Sequence, residues 1–196
     1  MSIVDDHPVV REGTAALLGE QPDIEIVTTA ATLEEASQLL DDDSLDVVVL
    51  DIRLGPGSGL TALDGRVRRR PAVILLTAYD YPQYADAALR LGAAGFVLKT
   101  APISELVDAI RKVAAGGLSF GVRPSGAPAF STRDLDVMRL VVEGRSNDEI
   151  GTTLGVASKT IETRLRGLFD RLGVASRTEL ATRALREGWL EVPPHR

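Results

Sequence analysis

Five short apolar runs recur along the first half of the chain: Ser2-Ile3-Val4, Ile24-Glu25-Ile26-Val27, Val47-Val48-Val49-Leu50, Val73-Ile74-Leu75-Leu76 and Phe96-Val97-Leu98. Each is short enough to be one strand and too continuous for a strand with one wet face. Stretches with helical spacing lie between them and open on helix-start signals: Pro8 after Asp6-His7, Thr32 before Leu33-Glu34-Glu35, Ser58, and Pro102 ahead of residues 103–115. Strands alternating with helices imply βαβ units, and so an α/β fold with a doubly wound, five-stranded parallel sheet covered on both faces. These units fill residues 1–115.

Residues 116–129 are dense in Gly, Pro and Ser and read as an interdomain linker. From residue 130 to 196 the pattern is purely helical. Ser131 caps a helix through Val142, ended by Gly144, and Ser146 or Asn147 caps a second through Leu154, ended by Gly155. Ser158 opens a third helix to Leu172, stopped by Gly173, and Ser176 a fourth to about Glu187, stopped by Gly188. The expectation is a small all-α four-helix domain.

Charge divides at the same place. Residues 1–120 hold 10 Lys+Arg against 18 Asp+Glu, a net −8, whereas residues 121–196 hold 12 against 10, a net +2. Only the second half suits a polyanion. The chain has no cysteine, which excludes disulfides, thiolate metal sites and thiol nucleophiles. Charge interrupts every apolar stretch well before the ~20 residues of a membrane span, and the Met1 region lacks a leader pattern, so a soluble, cytoplasmic protein with no membrane partner is expected.

In an open parallel sheet, ligands bind beyond the carboxyl ends of the strands. At those ends stand Asp5-Asp6, Asp51, Thr77 and Lys99. Clustered carboxylates supply hard oxygen ligands for Mg²⁺, and one of them, Asp51, can attack phosphorus to form an acyl phosphate. Lys99 can neutralise charge on the transferred group and Thr77 can hydrogen-bond one of its oxygens. Singly, each residue is an ordinary cap or surface group; their occurrence at four strand ends points to phosphoryl chemistry.

The blocks Val4-Asp5-Asp6-His7-Pro8, Leu50-Asp51-Ile52-Arg53-Leu54, Leu76-Thr77-Ala78 and Gly95-Phe96-Val97-Leu98-Lys99 resemble, in order, the signatures of bacterial receiver domains, which have a flavodoxin-like fold. The resemblance implies that Asp51 is the phosphoacceptor and that Asp6 and Asp51 bind Mg²⁺, with Asp5 acting largely through water and the backbone carbonyl of Arg53 as a further ligand. It implies that Thr77 and Phe96 are the hydroxyl and switch aromatic that reorient together, that Lys99 contacts the phosphoryl group, and that a sensor histidine kinase is the donor. The sequence departs from the pattern in its short first strand, in Pro56 standing one place late, and in Gly65, which implies a short or irregular helix after Asp51.

In the third helix of the second half, Leu165, Leu168 and Leu172 lie within about 40° of Ile161 on a helical wheel and form its buried face. Lys159, Thr163, Arg166 and Asp170 lie opposite, and Glu162 and Arg164 flank the stripe. Residues 130–190, with Glu143-Gly144-Arg145-Ser146-Asn147-Asp148-Glu149-Ile150, Ser158-Lys159-Thr160-Ile161-Glu162-Thr163-Arg164-Leu165 and Leu172-Gly173-Val174, resemble the LuxR/NarL-type helix-turn-helix. The resemblance implies a supporting helix over 147–154, a recognition helix over 158–172, and DNA contacts from Lys159, Thr160, Thr163, Arg164 and Arg166. Glu162 either accepts from cytosine N4 or, the preferred reading, pairs with Arg166 one turn on. Trp189 reads as a core residue.

Together the two resemblances imply a two-component response regulator that binds double-stranded DNA, is phosphorylated on Asp51, and forms a homodimer when active. Two other readings remain: a regulator of the same build that ignores phosphate and answers a ligand or its own concentration, and a metal-dependent phosphohydrolase. Haloacid-dehalogenase-like enzymes want a second carboxylate two residues after the nucleophile, and Arg53 occupies that place.

Overall fold

The computed structural model describes residues 1–55, 57–63, 70–121 and 130–191. Contacts divide the chain into two compact units, residues 1–125 and 126–196.

In the first unit the strands are β1 (Ser2–Val4), β2 (Thr28–Ala30), β3 (Val47–Asp51), a small hairpin of β4 (Arg53–Leu54) and β5 (Gly57–Ser58), β6 (Ala72–Thr77), β7 (Gly95–Leu98) and β8 (Ser119–Phe120). The main sheet is wholly parallel, in the order β2-β1-β3-β6-β7-β8. The order reverses between β1 and β3, so the crevice at their carboxyl ends lies at Asp5 and Asp51. All five residues of β3 are buried, as a strand covered on both faces requires. Ile3, Val47, Val49, Ile74, Leu76 and Val97 on one face pack against Leu106, Ile110 and Val113 of helix α5 (Ile103–Ala114).

The remaining helices of this unit are α1 (Pro8–Gly19), α2 (Leu33–Leu40), α3 (Gly59–Leu63) and α4 (Pro82–Arg90). Pro8 and Pro82 sit in the first turns of α1 and α4, where no amide is needed, and Thr32 and Glu35 form a reciprocal capping box on α2. Gly65, expected to disturb the helix after Asp51, lies outside the described residues, as do Pro56 and the second part of the expected linker, residues 122–129.

Besides the small β4–β5 hairpin, two strands of the main sheet depart from the sequence expectation. The second lies at Thr28–Ala30 rather than over residues 24–27, because register with the three-residue β1 pairs Ser2 with Thr28. Residues 24–27 run alongside Met1, whose terminal amine donates to the Glu25 carbonyl and whose carbonyl accepts from the Val27 amide. The second departure is a sixth strand, β8, formed by residues expected to be linker. It pairs along the open edge of β7, where the Ser119 amide donates to the Ala94 carbonyl at 2.8 Å. An uncovered edge would leave backbone groups unpaired, and two residues satisfy some of them without leaving a periodic signature in the sequence.

The second unit consists of α6 (Thr132–Val142), α7 (Asn147–Leu154), α8 (Ser158–Leu172), α9 (Arg177–Arg186) and a 3₁₀ turn, Trp189–Glu191. Ser131 with Asp134, and Ser146 with Glu149, form capping boxes on α6 and α7. The turn from α7 to α8 depends on two glycines. Gly155 takes φ +68° at the helix end, and a Cβ on Gly151 would lie 2.6 Å from the Val156 carbonyl oxygen. Ile161, Leu165, Leu168 and Leu172 are buried against Leu135, Met138, Ile150 and Leu180. Trp189 is buried beside Phe130, their ring centroids 5.2 Å apart, in the core position expected of it.

Candidate functional site

The sheet topology brings the acidic residues together. Asp5 follows β1, Asp51 ends β3 and Lys99 follows β7, yet the Lys99 ammonium lies 2.5 Å from Asp51 Oδ2 and 2.7 Å from Asp5 Oδ2. Asp5 and Asp51 are both almost fully buried, 1% and 3% exposed, so this is charge gathered in a pocket and not a solvated surface cluster. Backbone amides fix the carboxylates. His7 N–H donates to Asp5 Oδ1 at 2.9 Å, Arg53 N–H to Asp51 Oδ1 at 3.2 Å and Gly55 N–H to Asp6 Oδ2 at 2.8 Å.

Burial pushes the Asp51 carboxyl up from its ordinary range and outweighs the Lys99 hydrogen bond that pulls it down; the nearby Asp5 charge adds to the rise. Burial opposes the Lys99 ammonium, but its close ion pair with Asp5, its hydrogen bond to Asp51 and the charges of both prevail and hold it above its ordinary value. Asp6 is held low: burial works against its charge, but the Gly55 amide and the neighbouring His7 overcome that.

One ligand atom each from Asp5, Asp6, His7 and Asp51 lies within 4.8 Å of the others. Asp5 Oδ2, although ion-paired with Lys99, and Asp6 Oδ1, 2.8 Å from His7 Nδ1, are buried with no donor in hydrogen-bonding geometry. Three carboxylates, two of them paired with one ammonium and with hard oxygens left unsatisfied, form a donor set that suits a hard divalent cation.

The other strand-end residues are near but turned elsewhere. Thr77 is buried at the end of β6, and its Oγ1 accepts from the Tyr79 amide at 3.2 Å. Phe96 is fully buried and pairs with Leu75 across the β6–β7 ladder, so it shares a sheet face with Thr77. The Arg53 side chain lies over the Tyr79 ring, 4.2 Å from its centroid, and donates to Tyr79 Oη at 3.1 Å; Tyr81 stacks on Tyr79 in turn. The sequence reading missed Tyr79, Tyr81 and His7. Arg53 and Tyr79 each stand two residues beyond a strand-end site residue, which was the available signal for their pairing.

In the second unit, α8 presents the residues expected to face DNA. Lys159, Thr160, Thr163 and Arg166 are exposed. Glu162 pairs with Arg166 at 3.2 Å, as preferred from the sequence, and also with Lys159 at 2.9 Å. Arg164 is held differently: its guanidinium donates to Asp134 Oδ1 of α6 at 2.9 Å, and Arg171 donates to Asp134 Oδ2 at 3.1 Å. Despite its burial, Asp134 is kept below the ordinary carboxylate range by hydrogen bonds from Arg171, Ser131 and Arg164.

A parallel sheet with an acidic pocket at its switch point, joined in one chain to a compact helix-turn-helix unit, defines a regulator that couples a signalling domain to a DNA-binding one. The comparisons with known proteins agree. Residues 1–111 match the response regulator receiver domain family, and residues 128–184 match the bacterial regulatory proteins of the luxR family. The chain is 34% identical over 212 residues to the oxygen regulatory protein NreC of Staphylococcus carnosus, covering 96% of this chain and 98% of that one. It is 32% identical over 201 residues to the transcriptional regulatory protein LiaR of Bacillus subtilis, covering 94% and 95%. Among solved structures it resembles RcsB from Salmonella enterica serovar Typhimurium bound to promoter rprA in the presence of phosphomimetic BeF3-, with TM-score 0.62, 25% identity and coverage of 95% and 98%. The chain belongs to the response regulators that join a receiver to a LuxR-type DNA-binding domain, and it is a transcriptional regulator of the two-component class. Among the described residues, no helix is long and apolar enough to cross a membrane.

Proposed function

We propose that this regulator is switched by phosphorylation of Asp51 and that the switch controls binding of its helical domain to double-stranded DNA. The observation that carries the reading is the convergence of Asp5, Asp51 and Lys99 within 2.7 Å contacts at the crevice of the sheet. An oxygen of the Asp51 carboxylate attacks the phosphorus of a phosphohistidine on a sensor histidine kinase. The P–N bond breaks, and an acyl phosphate forms on Asp51. Lys99 stays beside the new phosphoryl oxygens and balances their charge. Asp5, Asp6, Asp51 and the Arg53 carbonyl hold Mg²⁺, which when bound supplies charge neutralisation for the transfer. The residues form a phosphoryl-accepting site and not a turnover enzyme, since Arg53 stands where a phosphohydrolase of this chemistry wants a second carboxylate.

Phosphorylation draws the Thr77 hydroxyl from the Tyr79 amide toward the phosphoryl group, with Phe96 packed on the same sheet face. That shift favours a homodimer whose two recognition helices, carrying Lys159, Thr160, Thr163 and Arg166, engage paired half-sites. The receiver is residues 1–115 and the DNA-binding domain residues 130–196, acting in the cytoplasm. The test replaces Asp51 with Asn and compares DNA binding before and after exposure to a phosphodonor. The wild-type chain gains affinity and the Asp51→Asn chain does not. Equal gain in both would reject the switch and favour a regulator that answers a ligand or its own concentration.

A further inference from the structure

The His7 side chain supports neither the helix it precedes nor the core. His7 stands at the N-cap of α1, where Ser, Thr, Asp or Asn would cap the helix, yet its side chain makes no cap bond. The ring is 65% exposed, so it is not a packing residue. Its backbone, by contrast, is pinned. The His7 amide donates to Asp5 Oδ1 at 2.9 Å, its carbonyl accepts from the Arg11 amide at 3.0 Å, and Pro8 restricts the residue before it.

That pinning sets the ring beside the acidic pocket. His7 Nδ1 lies 2.8 Å from Asp6 Oδ1 and 3.4 Å from Asp5 Oδ1. Asp6 Oδ1 is nonetheless without a donor in hydrogen-bonding geometry, and so, apart from its ion pair with Lys99, is Oδ2 of the buried Asp5. A ring nitrogen and a carboxylate oxygen this close, with no proton aligned between them, are spaced as two ligands of one ion. Adjacent ligands on an octahedral ion, each about 2.1 Å from it, are about 3 Å apart, and opposite ones about 4 Å. One atom each from Asp5, Asp6, His7 and Asp51 falls within 4.8 Å of the others, a spread of that size.

We propose that His7 Nδ1 is a direct metal ligand in this pocket, and that its nitrogen makes the site prefer a divalent first-row transition ion such as Ni²⁺ or Zn²⁺ over Mg²⁺. Carboxylate and carbonyl oxygens suit Mg²⁺, whereas imidazole suits Zn²⁺ and Ni²⁺, and affinity at a given mixed site rises from Mn²⁺ to Ni²⁺. The proposal rests on the reading of the pocket as a cation site and names the side chain that sets which cation it takes.

The test uses the full chain and titrates it calorimetrically with Ni²⁺ and with Mg²⁺. Electron spin-echo spectroscopy of bound Mn²⁺ reports nitrogen in the ligand shell. The wild-type chain binds Ni²⁺ at least about tenfold more tightly than Mg²⁺, and His7→Ala lowers that ratio at least about tenfold. Bound Mn²⁺ shows imidazole nitrogen modulation in the wild type and none in His7→Ala. Asp6→Asn weakens binding of both Ni²⁺ and Mg²⁺, because the two ions share the pocket. An unchanged Ni²⁺-to-Mg²⁺ ratio in His7→Ala, bound Mn²⁺ without nitrogen coupling in the wild type, or Ni²⁺ binding untouched by Asp6→Asn would overturn the proposal, while Mg²⁺ binding would still uphold the cation reading of the pocket. A wild-type chain that bound neither Mg²⁺ nor Ni²⁺ would sink that reading itself.

Discussion

The two halves of this regulator build their sites in opposite ways. In the receiver, residues from the ends of separate strands meet because the sheet topology leaves them no other place, and the resulting charges are buried. In the helical unit, the candidate contacts lie along one helix and are mostly exposed, and one of them, Arg164, is held with Arg171 by a single buried carboxylate from a neighbouring helix. A pocket made by topology is robust to local change but electrostatically loaded. A surface made by one helix is locally adjustable but can be misaimed by one substitution elsewhere.

The contrast can be broken most forcefully through the cores. Leu165→Ala, at a buried position in α8, is expected to destabilise the helical unit by about 3 kcal/mol. Chemical denaturation followed separately in each half should leave the receiver transition unmoved, and a shift of both transitions together would show that the units do not fold independently. Next in size is Lys99→Ala, which leaves Asp5 and Asp51 facing each other without their ammonium. We expect a loss of about 2 kcal/mol in the receiver, less than for a wholly buried pair because Lys99 reaches the pocket mouth. Adding Mg²⁺ should recover much of that loss, and no recovery would count against a cation site there.

The smallest effect is in pH, and its sign differs between the halves. Asp134 is held below 3.8, so its folded form binds protons less readily than its unfolded form. Its contribution is complete above that value and is lost as pH falls through the folded pKa. Asp51 is held above 3.8, so the folded state takes up a proton first, and its contribution to stability improves as pH falls through its raised pKa. Acid titration of stability in Asp134→Asn and Asp51→Asn chains against wild type should therefore give difference curves of opposite slope. Curves of the same sign would mean that one of these environments has been misassigned.

How much of this was legible in the sequence follows from the same contrast. The parallel sheet could be read because each buried strand is a continuous apolar run, and the pocket because Asp5, Asp6, Asp51 and Lys99 all stand at strand ends. The caps and glycine stops of α6 to α9 are local chemistry and were placed to within a residue or so. The position of β2 was not legible, because register with a three-residue partner decided it over hydrophobicity. Nor was β8, whose two residues are too few to show a period. The Arg53–Tyr79 stack and the grip of Asp134 on Arg164 and Arg171 join residues on different elements, and no spacing in the chain announces them. Arg164, read from the sequence as a direct DNA contact, is seen in the fold to be tied first to Asp134.

The most direct test of the central claim is intact-mass measurement of the chain after incubation with acetyl phosphate, with and without Mg²⁺. The wild-type chain should gain the mass of one phosphoryl group only when Mg²⁺ is present, and Asp51→Asn should gain none. An equal gain in the Asp51→Asn chain, or no gain in the wild type under any condition, would contradict the account.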